Sequence, residues 1–172
     1  MTRAIVLACA LAFVLQCAGI AAAPVRIKDS TGAISVELPK GWSVENNLAD
    51  CQKLNIVGLS HGGLYSNISL VTRNAEKLTL PVVAKGVEKN PSVLDRGCRI
   101  VSSGKTKLGG VDALVYVCDS APAPKMPPSR FEVVIAIRNK IAYLLTYSAH
   151  KDFFKADRGA FETVTKSLKW LQ

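Results

Sequence analysis

Outside the first 23 residues, the side chains best suited to chemistry are three cysteines, Cys51, Cys98 and Cys118, and two histidines, His61 and His150. A thiol nucleophile needs a base within hydrogen-bond reach to take its proton, so a thiol enzyme or hydrolase would pair Cys51 with His61 or His150. None of these cysteines forms a Cys-x-x-Cys pair and each histidine stands alone, so no metal site is expected. No catalytic or cofactor-binding signature appears, and the expectation is no catalytic residue and no cofactor.

Compartment decides between a reactive thiol and a crosslink. Arg3 is the only charge ahead of an apolar stretch from Ala4 to Leu15, and Ala21-Ala22-Ala23 precede Pro24. A positive start, an apolar middle and small residues at a cleavage point make a secretory signal. The stretch from Ala4 to Ala23 approaches the roughly 20 residues that span a bilayer. It is Ala-rich, however, and ends in small residues rather than basic stop-transfer flanks, so cleavage is expected and leaves no stable anchor. Gln16 stands where lipoprotein cleavage wants a small residue, which argues against lipidation at Cys17. Residues 1–23 therefore read as signal and 24–172 as one exported domain, periplasmic or secreted, of 172 − 23 = 149 residues. That length supports a single hydrophobic core. Cys9 and Cys17 leave with the leader, and the remaining three cysteines predict one disulfide and one odd thiol in an oxidising compartment.

The 22 basic residues outnumber 13 acids, and removing Arg3 leaves 21 − 13 = +8. Such a surplus can serve membrane lipid, polyanionic polymers or nucleic acid. The basic residues are scattered from Arg26 to Lys169 without a run of three; Lys105 with Lys107, and Lys151, Lys155 and Arg158, come nearest to clusters. Scatter reads as solubility rather than a nucleic-acid site. Ser60-His61-Gly62-Gly63 is similar to a stretch that supplies oxyanion donors in some esterases, but no Gly-x-Ser-x-Gly follows and a hairpin tip accounts for the glycines. Glu37, Glu45, Asp50 and Asp112 offer carboxylates for glycoside hydrolysis, without any pattern that pairs them. Asn67-Ile68-Ser69 matches a glycosylation acceptor, relevant only in a eukaryotic secretory pathway.

Strand signals surround these residues. Val25 to Lys28 and Ala33 to Leu38 bracket a turn at Asp29 to Gly32, and Pro39-Lys40-Gly41-Trp42 ends the strand. Leu54 to Leu59 and Asn67 to Thr72 flank the Gly-rich tip. Pro81 opens a short helix to Lys89 that Asn90-Pro91 stops. Arg99 to Leu108 and Val111 to Cys118 surround Gly109-Gly110, a two-residue turn. Ala121 to Pro128 carries four prolines and is a stiff surface loop. Phe131 to Arg138 and Ile141 to Ser148 form a hairpin around Asn139-Lys140, apolar enough to be covered on both faces. Phe154, Phe161, Val164, Leu168 and Leu171 mark one face of a closing helix. Trp42 and Trp170 read as core packing. Tyr143 and Tyr147 share a strand face and fit either packing or ligand stacking. Antiparallel hairpins interrupted by one helix and closed by another predict an α+β fold.

If Gly109-Gly110 is the turn, Cys118 falls opposite Val101 and Cys98 opposite Ala121. That offset is roughly 10 Å along the strands, whereas bridged Cα atoms are rarely more than about 7 Å apart. A Cys98–Cys118 bond would thus need a longer turn or a bulge, and the expected disulfide joins Cys51 to Cys98, with Cys118 as the alternative partner.

Ile34-Ser35-Val36-Glu37-Leu38-Pro39-Lys40-Gly41-Trp42, and the end from Lys140-Ile141-Ala142-Tyr143 through Phe161 to Ser167-Leu168-Lys169-Trp170, resemble the PsbP-like group. The shared pattern is a strand ending in Pro-x-Gly-Trp, a late hairpin with a Tyr-x-Leu-x-Tyr-like strand, here Tyr143-Leu144-Leu145-Thr146-Tyr147, and a closing helix with a terminal Lys-Trp. The resemblance implies an antiparallel sheet flanked by helices, an α/β/α sandwich, and action through protein contacts rather than catalysis. It carries over no functional residue and no photosynthetic role.

The expected function is an exported, non-enzymatic binding or accessory protein with an unknown protein partner. His61, Gly62 and Gly63 at the hairpin tip and Pro127 and Pro128 in the loop are the candidate partner-binding residues. The alternatives are a hydrolase or thiol enzyme on Cys51, His61 or His150, and a binder of an anionic surface or polymer.

Overall fold

The computed structural model describes residues 23–49, 51–121 and 127–171. The expectations placed on the leader through residue 22, on Cys9 and Cys17, on Asp50 and on residues 122–126 of the proline segment lie outside them. In chain order the elements are β1 (Arg26–Lys28), β2 (Ile34–Glu37), β3 (Ser43–Val44), β4 (Gln52–His61), β5 (Leu64–Asn74) and α1 (Leu80–Lys89). They continue with β6 (Arg99–Leu108), β7 (Val111–Asp119), β8 (Ser129–Arg138), β9 (Ile141–His150), α2 (Phe154–Ser167) and β10 (Lys169–Trp170).

Seven strands form one sheet in the order β3-β4-β5-β9-β8-β7-β6, every neighbouring pair antiparallel. The expected turns set its registers. Gly109-Gly110 joins Leu108 to Val111, and Asn139 and Lys140, both at positive φ, join Arg138 to Ile141. These are the left-handed angles that a two-residue hairpin turn demands. Gly62-Gly63 likewise turns His61 onto Leu64, so the second hairpin reaches further towards its tip than the sequence indicated.

Residues 131 to 136 of β8 are all buried, because the sheet is covered on both sides. Val134 and Ala136 face a core shared with Leu145 and Tyr147 of β9, Ile34 and Val36 of β2, and Phe154, Phe161 and Val164 of α2. Phe131, Val133 and Ile135 face the opposite core, with Leu114, Tyr116 and Cys118 of β7 and Val87 of α1. The alternation follows from the two-residue period of a strand. The fold is α+β, an antiparallel sheet flanked by helices as an α/β/α sandwich. A small sheet, β1-β2-β10, joins α2 on its side.

The closing helix is shorter than its apolar periodicity predicts. Leu168 turns extended, and Lys169 and Trp170 pair with Ser35 and Ile34 of β2. Leu168 stays in the core while Leu171 is exposed. Trp170 makes the stop worthwhile: its Nε1 donates to the Gly109 carbonyl at 3.0 Å, and its ring meets Tyr143 edge-on at 4.8 Å. Tyr147 donates to the Phe154 carbonyl at 2.9 Å, so both tyrosines of β9 serve packing. Trp42 lies over Gly58, where an added Cβ would come within 2.9 Å of its ring.

Two buried carboxylates tie elements together. Asp119, at the end of β7, receives Arg130 at 2.8 Å, Arg99 at 3.0 Å and Lys151 at 3.2 Å, joining the starts of β6 and β8 to the turn after β9. Glu132 of β8 receives Arg158 of α2 through two bonds of 2.7 and 3.2 Å. The Arg130 hydrogen bond, opposed by burial and reinforced by Arg99 and Lys151, holds the Asp119 carboxyl well below the usual carboxylate range.

Gly109 has positive φ, and an added Cβ would stand 2.6 Å from Trp170 Nε1 and 2.7 Å from Leu168, whereas Gly110 also has positive φ but open space. Gly110→Ala should cost about 1 kcal/mol of strain, and Gly109→Ala about 2–3 kcal/mol because the tryptophan must also move. Urea unfolding of the two variants measures this, and equal losses would contradict the close approach. Because the Asp119 pKa is depressed on folding, its contribution is fully present above the unfolded value of about 3.9 and is lost as pH falls below it. Asp119→Asn should therefore lower stability at neutral pH by about 2–3 kcal/mol and flatten the acid limb of a stability-against-pH curve. An unchanged acid limb would place that pH dependence elsewhere.

Candidate functional site

Antiparallel pairing brings distant segments to one end of the sheet. β4 ends and β5 begins at the Gly62-Gly63 tip, while β8 begins with Ser129 opposite His150 at the end of β9. Pro128 precedes Ser129 and accepts from the Lys151 amide at 3.1 Å. The two candidate segments, His61 to Gly63 and Pro127-Pro128, thus lie at the same end, and between them an open groove of about 420 Å³ runs along the face that α1 leaves bare.

The groove floor comes from Leu144, Thr146 and Ser148 of β9 beside Phe131 and Val133 of β8. Leu64 and Tyr65 wall one side, and Leu94 and Asp95, from the connection after α1, wall the other. Small polar groups continue the floor across the sheet. Ser148 donates to Asn67 Oδ1 at 3.4 Å, Asn67 donates to Asn55, and Asn55 donates to Glu45. Tyr65 is 60% exposed, and Leu59 and Val93 are as open as it is. The Thr146 and Ser148 hydroxyls among Leu144, Phe131 and Val133, with Leu64 and Tyr65 on one wall, suit a ligand with both polar and apolar surface.

His61 serves a different face. Its Nε2 lies 2.9 Å from Asp157 Oδ2 of α2 and its ring stacks on Phe153 at 4.4 Å. The same Asp157 oxygen accepts from Ser66. Burial pushes the Tyr147 phenol well above its usual range. The carboxylate takes hydrogen bonds from both serine and histidine, so the histidine is not placed to accept the serine proton. Ser66 is moreover 1% exposed. His150 lines the groove, and its ring centroid lies 5.8 Å from that of Phe153.

The thiol-enzyme alternative fails on geometry. Cys51 precedes β4, whose far end is His61, and ten residues of strand separate them by about 30 Å. His150 shares the His61 end. The carboxylates are equally dispersed: Glu37 pairs with Arg26, Glu45 meets Asn55 and Asp112 meets Lys107. Among the described residues no three metal-ligating groups gather, and no helix is long and apolar enough to cross a membrane. Of the two nearest basic groupings, Lys105 and Lys107 lie on β6, while Lys151 and Arg158 pair with Asp119 and Glu132.

The expected Cys51 bridge is also overturned. β4 stands five strand places from β6 and four from β7, about 24 and 19 Å at the usual spacing, so Cys51 reaches neither Cys98 nor Cys118. The register argument missed a bulge at Val101: Ser102 pairs with Val117 but Ile100 pairs with Cys118. That extra residue draws Cys98 towards Cys118. Cys98 donates to the Pro91 carbonyl at 3.0 Å, and both thiols belong to one buried cluster. Burial first, then Cys98, pushes the Cys118 thiol up to about 12. All three cysteines are free thiols in the structure.

Tyr65, Leu94, Asp95, Thr146 and Ser148 escaped the sequence reading, since they come from separate segments and no local spacing links them. Only the glycine and proline punctuation at 62–63 and 127–128 pointed to this end.

No family model and no curated protein matches the sequence. Solved structures do resemble it. LpqN of Mycobacterium tuberculosis, described as involved in cell envelope biogenesis, superposes with a TM-score of 0.60 at 14% identity over 85% of this chain and 84% of its own. The yeast (Saccharomyces cerevisiae) Ran-binding protein Mog1p gives 0.60 at 8% identity over 87% and 96%. Cyanobacterial PsbP from Synechocystis sp. PCC 6803 gives 0.53 at 14% identity over 91% and 98%. At such identities the likeness is one of fold, and in fold this chain is a PsbP-like sandwich.

Proposed function

We propose that the protein is an exported, non-enzymatic accessory protein that binds a partner protein in the groove between the His61-Gly62-Gly63 tip and Pro127-Pro128. The observation that carries this reading is convergence. Two turn segments 64 residues apart, from 63 to 127, flank one groove whose rim presents exposed Tyr65. Aromatic anchors over partly polar pockets are where binding energy concentrates at protein interfaces. Among proteins of the same fold, Mog1p is a Ran-binding protein and LpqN is involved in cell envelope biogenesis, which supports a binding role and a place at the envelope. A partner in the exported compartment, rather than nucleic acid, fits the leader and the dispersed charge.

The test places a photo-crosslinking aromatic residue at Tyr65 in one version of the chain and at Arg73, the opposite end of β5, in another. Irradiation in the exported fraction of the native host should give a discrete protease-sensitive adduct from position 65 alone. Tyr65→Ala should weaken capture of that partner about tenfold or more without moving the unfolding midpoint. Adducts equally abundant from both positions, or none from position 65, would refute the groove as the interface. Binding abolished by Lys105→Glu with Lys107→Glu, or by salt, would instead favour the anionic-surface alternative.

A further inference from the structure

We propose that Cys98 and Cys118 form the protein's disulfide, closed while the chain folds and sealed afterwards, with Cys51 left as the odd thiol. The two cysteines sit on neighbouring segments of the β6–β7 hairpin, in one buried cluster with Tyr116, Phe131 and Val87. The bulge at Val101 shortens their offset along the strands from three residues to two. Cys51 lies four or five strand places away. A bridge needs Cα atoms within about 7 Å, which from this register takes a local shift of Cys98, the residue just outside β6.

The bond would fix more than a hairpin. Cys98 ends the connection from α1, whose Leu94 and Asp95 wall the groove. Three contacts seat that connection: the Cys98 amide on the Asp95 carbonyl at 3.0 Å, the Cys98 thiol on the Pro91 carbonyl, and Gly97 close against Ala121, where an added Cβ would lie 3.0 Å from the alanine methyl. A covalent tie from Cys98 to β7 anchors this wall to the sheet.

Cys98 is 7% and Cys118 0% exposed, so an oxidant reaches them only before α1 docks. The oxidant is a low-molecular-weight or protein disulfide, RS–SR, of an oxidising compartment. One cysteine thiolate attacks a sulfur of RS–SR and releases RS⁻. The other thiolate then attacks the mixed disulfide at the protein sulfur and releases the second RS⁻. The two protein thiols lose two hydrogens, and two RSH are formed. This inference takes its oxidising compartment from the exported reading, but the pairing itself does not depend on it.

The full chain, reduced in denaturant and refolded in oxidised and reduced glutathione, is alkylated and peptide-mapped. The expected map links the Cys98 and Cys118 peptides and alkylates Cys51. Reduction should lower the unfolding midpoint by about 5–10 °C. Cys51→Ser should preserve that shift, and Cys98→Ser with Cys118→Ser should abolish it. Both thiols alkylated after refolding, or either joined to another cysteine, overturns the proposal. If the bridge forms on refolding while protein taken from the native host carries both thiols free, the export reading fails and the pairing stands.

Discussion

The β8–β9 hairpin is apolar on both faces, and the rest of the molecule is arranged to keep water from each. Side chains of β8 alternate between two cores, so neither face can be left bare without exposing a row of Val, Ile and Phe. Burial is worth about 25 cal/mol per Å² of apolar surface, so each face stabilises whatever element covers it. The covers are unequal. One face receives the 14 residues of α2 together with the small β1-β2-β10 sheet, and the other the 10 residues of α1 with Leu94 and Cys98 of the connection after it. A helix of that length runs about 15 Å, against about 29 Å across seven strands at the usual spacing. The groove lies where the shorter cover ends. Its floor accordingly sets half-buried Thr146 and Ser148 among Leu144, Phe131 and Val133.

The margins of the sheet are held by charge instead of apolar burial. Asp119 gathers three cations from three segments, and Glu132 fixes α2 through a two-pronged arginine contact. Each carboxylate would be costly to bury alone. Asp119 thereby ties the starts of β6 and β8 to the turn after β9, and Glu132 ties β8 to α2. The outer strand β6 is exposed along most of its length and remains an open edge. Its lysines and its bulge are features that discourage edge-to-edge pairing.

Much of this was legible in the sequence because turn chemistry is local. Gly109-Gly110, Asn139-Lys140 and Asp29 to Gly32 announced hairpins, and Pro81 with Asn90-Pro91 bounded α1 within two residues. What escaped depends on partners far along the chain. The two-residue strands β3 and β10 form because β4 and β2 offer them edges. Nothing in the alternation of Arg99 to Leu108 reveals that Val101 bulges, and that single residue shifts Cys98 one place closer to Cys118. The closing helix looked longer because Leu168 keeps its apolar role after leaving it. The groove residues come from β5, β8, β9 and the connection after α1, so only the pairing order assembles them.

The order of groups around Asp157 bears most directly on chemistry. A serine, a histidine and an aspartate meet there, the three side chains of a hydrolase, yet roles follow from who accepts whose proton. In a catalytic arrangement the histidine stands between the other two, taking the serine proton while the carboxylate orients the ring. Here the carboxylate stands in the middle and receives both, Ser66 is sealed beneath the sheet, and His61 stacks on Phe153. With its stacking and ion pairing directed at α2, His61 helps to seat that helix against the β4–β5 tip. Its fixed geometry and the neighbouring glycines set the tip's position relative to Tyr65, so the histidine helps to hold one wall of the groove in shape.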